Sequence, residues 1–255
     1  MSAAATASLT SLIEGQLPGT VSTASAVAAA TENRAAGPVL RVRGDLATLL
    51  PAGGLRRGTT VAVDGSTALL LTLLATATSE GCWAAVVGMP DIGLLAASEI
   101  GVALHRLVLV PDPGNALASV VAALLDGADL VVIAAADLVR DGMKGQAMAR
   151  RLTARARSRG GVLVPFGAGG LWPAAELRLS ATDRRWSGFD DGHGYLTVHE
   201  TVVTVRGRGS AARPNRARLI LQEEAPLAGG TFSHLDNEVR NRAFGSSDVT
   251  QGGLG

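Results

Sequence analysis

The chain is short of the residue types that most often announce a chemistry. Its single cysteine, Cys82, excludes an intramolecular disulfide framework and a cysteine-rich zinc site, and it fits a reducing compartment. Only 3% of the 255 residues are aromatic, eight side chains in all, too few to cover a strand-binding surface with stacking rings. Lys144 is the only lysine. Lys and Arg number 23 against 22 acidic residues, so no global charge draws the chain to nucleic acid or to a membrane, and any such attraction has to be local. The four histidines are too scattered to form a metal cluster. No run stays apolar long enough to cross a bilayer, since even Val61–Ala77 carries Asp64 and several hydroxyls. The N-terminus has no basic start followed by a compact apolar stretch, so a secretory signal is not expected. A cytoplasmic, soluble protein is the expectation.

What the chain does have is aliphatic bulk, 47% hydrophobic residues, with 32 glycines as punctuation. Residues 1–37 are rich in Ala, Ser and Thr and predict a short helix around Leu9, Leu12, Ile13 and Leu17 that stops at Pro18-Gly19, followed by a linker. Residues 38–222 form the expected core. Apolar runs at Thr60–Val63, Trp83–Val87, Leu107–Val110, Leu130–Ala134 and Val162–Val164 alternate with helix-length segments at Ser66–Glu80, Asp91–His105, Asn115–Asp126 and Lys144–Arg159. Continuous apolar strands separated by helices predict an α/β fold with a mostly parallel sheet covered on both faces. From Glu176 the pattern changes to strict alternation, then Tyr195–Arg206 and Arg218–Gln222 follow, which predicts antiparallel strands added at the C-terminal end. Residues 223–255 lose periodicity and read as a flexible tail with one short helix near Leu235–Phe244.

The stretch Gly58–Leu70 is a strand, a tight glycine turn and an apolar helix, which is where a phosphate-binding loop belongs. Such a loop needs enough glycine-rich backbone to wrap N–H groups around phosphates, a lysine to neutralise them and a Ser or Thr for magnesium. Asp64, Gly65, Ser66 and Thr67 make the turn too short, and the lysine is absent. Ser66 and Thr67 read more simply as helix N-caps. The strand Asp129–Ala136 ends in three alanines where a nucleotide hydrolase would carry its magnesium-ordering carboxylate, and Asp137 reads as a loop or cap residue.

With its degenerate turn, Leu50–Gly58 resembles the entry to the ATPase core of RecA recombinases, and three further segments resemble later parts of that core. They are Asp129–Ala134 for the magnesium strand, Ala149–Leu152 with Gly161–Val164, and Glu200–Arg206 to Leu219–Leu221 for the closing hairpin. The resemblance runs from about Val39 to Gln222. The departures fall on ATP handling: Gly65-Ser66-Thr67 replaces the long Gly-Lys-Thr loop, Ala134 stands at the acid position, and Pro90 falls near the water-activating Glu. The connections Asp137–Gly145 and Phe166–Ala174 are also short where RecA carries DNA-binding loops. A RecA-like three-layer core of this length and Ala/Arg-rich composition, without its lysine, resembles the actinobacterial ImuA-prime family. That resemblance implies a non-catalytic accessory of damage-induced translesion synthesis, with no cofactor or catalytic residue. Its implied partners are an ImuB-like Y-family protein, an error-prone C-family DNA polymerase and RecA.

Two surface features remain open. Arg206, Arg208, Arg213, Arg216 and Arg218 occur without an intervening acid and form either a basic ridge for DNA phosphates or a solvated hairpin whose field nearby acids cancel. Phe232, Leu235, Val239 and Phe244 put apolar groups into a polar tail and either meet a partner or dock back on the core. On Lys144–Arg159, Met148, Leu152 and Ala156 form the core stripe, while Arg151 and Arg155 face solvent or a partner. Asp190, Asp191, His193 and His199 read as turn and strand residues rather than a metal or acid/base set, and Cys82 as a small core residue. Two rival functions stay in view: a divergent ATPase using Arg56, Arg57 or a partner's basic residue in place of the lysine, and a stand-alone DNA-binding module.

Overall fold

Runs of β-branched and aliphatic residues with no polar member can only be buried on both sides, and the structure, a computed structural model, does this with the central strands. It describes residues 38–169, 172–190, 193–208 and 211–223. The expected N-terminal helix and the tail residues Phe232, Leu235, Val239 and Phe244 lie outside the described residues. Strands β3 (Val61–Asp64), β4 (Ala84–Val87), β5 (Leu107–Val110), β6 (Leu130–Ala134) and β7 (Val162–Phe166) are parallel to one another, and β3 also pairs in parallel with β8 (Leu177–Asp190). Antiparallel β9 (His193–Gly207) and β10 (Asn215–Glu223) extend the sheet, giving the order β10-β9-β8-β3-β7-β6-β4-β5. A separate two-stranded sheet joins β1 (Val39–Arg41) to β2 (Gly54–Arg56). The fold is therefore α/β, a mostly parallel eight-stranded sheet with antiparallel strands at the C-terminal end, consistent with a RecA-like core.

Each sheet face has its own apolar layer. On one, Val61, Val63, Val86, Val132 and Val164 meet α1 (Gly44–Ala47), α2 (Thr67–Ser79) and α3 (Leu94–Ile100), and the layer runs on beneath β8, β9 and β10 through Leu179, Val203 and Leu219. On the other, Ala62, Val87, Ile133 and Leu163 meet α4 (Leu117–Gly127), α5 (Ala136–Arg140) and α6 (Gly142–Arg159), and this layer stops at Trp172 and Ala175. Helix α2 fits its place because nine of its residues are buried. Its Thr72 and Thr78 hydroxyls donate to the Ala68 and Leu74 carbonyls at 2.8 Å, so neither polar group is left unpaired.

The elements differ from the sequence reading where backbone chemistry intervenes. Asp91–His105 is not one helix: α3 has seven residues and ends at Gly101, whose φ of 99° only glycine adopts without strain, and a 3-10 turn at Leu104–Arg106 follows. The backbone at Asp137 is helical rather than a loop, since α5 buries Leu138 against the second layer. Gly145 makes that packing possible, because a Cβ there would stand 1.6 Å from the Leu138 carbonyl oxygen. The β8–β9 hairpin is far longer than the alternation at Glu176–Ser180 suggests, with Asp190 opposite His193 at its tip and a register shift between Thr182 and Arg185.

Candidate functional site

In an open α/β sheet the ligand crevice lies at the carboxyl ends of the parallel strands. There the β3 turn is closed by its own contacts. Asp64 Oδ1 accepts the Gly169 N–H at 2.8 Å, which ties the turn to the β7–β8 connection. Gly65 has φ +89°, and a Cβ there would lie 2.5 Å from the Ala181 carbonyl oxygen, so the turn is pressed against β8. Ser66 is 5% exposed and is the N-cap of α2, its Oγ accepting the Leu69 N–H at 3.2 Å. One glycine followed at once by a capped helix leaves few backbone N–H groups to surround a phosphate. At the end of β6, Ala134 is half-buried and the Ala135 N–H donates to the Phe166 carbonyl at 2.8 Å. No group of three or more metal-ligating side chains occurs among the described residues.

The carboxylate that the β6 region does possess is at the opposite end. Asp129 is fully buried at the start of the strand, where Oδ1 accepts from Arg57 Nη1 at 2.7 Å and Oδ2 from the Trp83 N–H at 2.8 Å. Arg57 is thus bound on the amino side of β3, whereas the Gly65 turn is on its carboxyl side. At about 3.3 Å per residue the intervening strand holds the two roughly 20 Å apart or more. Arg56 lies at that same amino end and lines a cleft of about 210 Å³ with Pro51, Thr59, Glu176 and Arg208. The Asp129 staple has no local sequence signal, since its two partners lie 72 and 46 residues away.

The five sequence-predicted arginines separate into two groups. Arg206, Arg216 and Arg218 share one face of the antiparallel sheet, because Arg206 stands opposite Arg178, Arg216 opposite Thr204 and Arg218 opposite Val202. Arg208 and Arg213 lie in the β9–β10 connection, Arg208 on the cleft just described. Arg216 pairs with Asp183 at 3.2 Å and Arg218 with Glu200 at 3.0 Å, both exposed. Arg206 has no ion pair among the described residues. On α6, Arg155 does not face solvent alone: it donates to the Ala122 carbonyl and grips Asp126 with two nitrogens, clamping α6 to α4. His199 is 4% exposed, and its ring stacks on Trp186 with centroids 4.3 Å apart. Burial, then the Arg184 charge, holds its pKa below the ordinary imidazole value. Cys82 is buried, and burial, then the Asp129 charge, pushes its thiol pKa up.

Residues 48–174 match the family model described as the MT3502 N-terminal domain. Over 139 residues the chain is 43% identical to the uncharacterized protein Rv3395c of Mycobacterium tuberculosis (strain ATCC 25618 / H37Rv), a match that covers 52% of this chain and 63% of that relative. The family match spans the Gly65 turn, β6 and α6 and ends before β8 begins. No helix among the described residues is long and apolar enough to cross a membrane.

Proposed function

We propose that this chain is a RecA-like accessory protein of damage-induced translesion DNA synthesis that acts by binding rather than by turnover. Its partner is an ImuB-like Y-family protein, which brings it into the assembly of an error-prone C-family polymerase, with RecA as a further contact. The observation that carries the reading is the closed turn at Gly65. Where a nucleotide-driven core would surround phosphates, this chain has a buried N-cap serine, a glycine pressed on the Ala181 carbonyl and no lysine. The fold and the length of the resemblance supply the rest. Phe232, Leu235, Val239 and Phe244 are the proposed partner contacts, read from sequence alone.

The test has two arms. Titration of the full chain with ATP and magnesium is expected to give no heat at millimolar nucleotide, and micromolar binding would overturn the reading. Co-purification with a Y-family partner is expected from the full chain and is expected to fail when the four tail residues are changed together to Ser. Equal recovery of the partner removes the tail from the assignment.

A further inference from the structure

We infer that the open face of the β8–β9–β10 sheet binds the phosphate backbone of nucleic acid, a site that stands whether or not the translesion reading holds. Pairing register assembles the face in four rows. Arg178 lies opposite Arg206; Ser180 opposite Thr204, which is opposite Arg216; Thr182 opposite Val202, which is opposite Arg218; and Arg185 opposite Glu200, which is opposite Ile220. Side chains alternate along a strand, so the intervening residues Leu179, Ala181, Val203, Val205, Leu219 and Leu221 point the other way, into the first apolar layer. The helical layer that covers the arginine side of the sheet ends with Ala175, and among the described residues none from these three strands belongs to it.

The composition of the face selects its occupant. Five arginines stand against three acids, Asp183, Glu200 and, opposite Val198 in the next row, Glu223, leaving an excess of two positive charges on a patch three strands wide. Both ion pairs there are exposed, with Arg216 at 60% and Arg218 at 48% side-chain exposure, so water already competes for them and a phosphate can replace the carboxylate. Arg178 donates to the Trp172 carbonyl, while Arg185 and Arg206 carry no ion pair among the described residues. The charge continues on the same side of the sheet, where α6 holds six basic residues and no acid and exposes Lys144, Arg150 and Arg151. An acidic protein partner would look for buried aromatic or aliphatic anchors, and among the described residues Ile220 is the single exposed large apolar residue of the face. Arginines beside Ser180, Thr182 and Thr204 hydroxyls are instead the donors that phosphate oxygens accept. Trp186, the exposed aromatic of β8 among the described side chains, is on the opposite side against His199, so it offers no base stacking there. Binding should therefore be indifferent to base sequence and strongly dependent on salt.

Fluorescence anisotropy of the full chain with a labelled single-stranded oligonucleotide and with its duplex, over a salt series, tests this. The Arg185→Glu/Arg206→Glu double variant is compared with Arg41→Glu, a control on the exposed Arg41–Glu80 pair. The wild type and the control should bind and weaken linearly in log–log salt plots. The double variant should bind about tenfold or more weakly, with a slope smaller by about 1.4 on the single strand or about 1.8 on the duplex, corresponding to two lost phosphate contacts. If the double variant unfolds, Arg206→Gln alone should remove about half of that slope change. An oligonucleotide ignored at low salt, a face variant that binds like the wild type, or a labelled poly-glutamate bound more tightly than either nucleic acid would each overturn the proposal.

Discussion

The two sides of one sheet are built from opposite materials. On one side α2 contains no charged residue and α3 only Glu99, and the apolar layer continues unbroken from β4 to β10. On the other side α6 is basic along its whole length, and the apolar layer stops at Ala175, so that among the described residues it does not extend over β8–β10. A continuous layer gives stability. An interrupted one exposes a charged surface, which is a position for function held in place by the first. The same contrast runs along the strands: the carboxyl end, where nucleotide chemistry would sit, is closed by Ser66 and Gly65, while the buried charge is at the amino end on Asp129.

The contrast along the strands is broken most severely at Asp129. Its carboxylate is fully buried and satisfies both the Arg57 guanidinium and the Trp83 N–H. Asp129→Ala removes the carboxylate that Arg57 Nη1 and the Trp83 N–H share, and removing one partner of a buried pair costs about 3–5 kcal/mol. Urea unfolding should show a loss of that size. Asp129→Leu tests whether charge or volume is responsible, and an Asp129→Ala variant as stable as the wild type would mean that Arg57 swings out to water. A smaller effect is expected at the other end of β3. Ser66→Ala removes the N-cap acceptor of Leu69 and should destabilise by about 1 kcal/mol, with Ser66→Asp restoring most of it.

How much of this was legible beforehand depends on the range over which the controlling interaction acts. Strands Leu107–Val110 and Leu130–Ala134 are readable to the residue as unbroken apolar runs, although Leu130–Ala134 is central and buried while Leu107–Val110 is a half-buried edge strand. Ser66 was readable as a cap for the same local reason. The stop of α3 at Gly101 and the α5 turn carry no such signal, since both depend on backbone details that a periodicity does not hold. Arg206, Arg208, Arg213, Arg216 and Arg218 look like one ridge in sequence, yet pairing register puts three on a face with Arg178 and Arg185 and leaves Arg208 and Arg213 in a connection. Only three-dimensional pairing could add Arg178, which is 28 positions from Arg206 and directly opposite it.

The smallest effect distinguishes the two sheet faces at the hairpin itself. His199 belongs to the covered face, its ring stacked on Trp186 with an interplanar angle of 5° and neither ring nitrogen hydrogen-bonded among the described residues. Burial, then Arg184, keeps its folded pKa below the ordinary value. An unfolded chain takes up the imidazole proton near pH 6.5 whereas the folded one resists it, so below that pH the unfolded state binds more protons. The stabilising difference is whole above pH 6.5 and is lost as the pH falls toward the depressed folded value. Melting temperatures measured from pH 7.5 down to 5 should therefore fall faster for the wild type than for His199→Phe, which keeps an aromatic ring against Trp186 and has nothing to titrate. Parallel curves would mean that the His199 ring reaches water without unfolding, and the hairpin would then belong to the exposed side of the comparison on both of its faces.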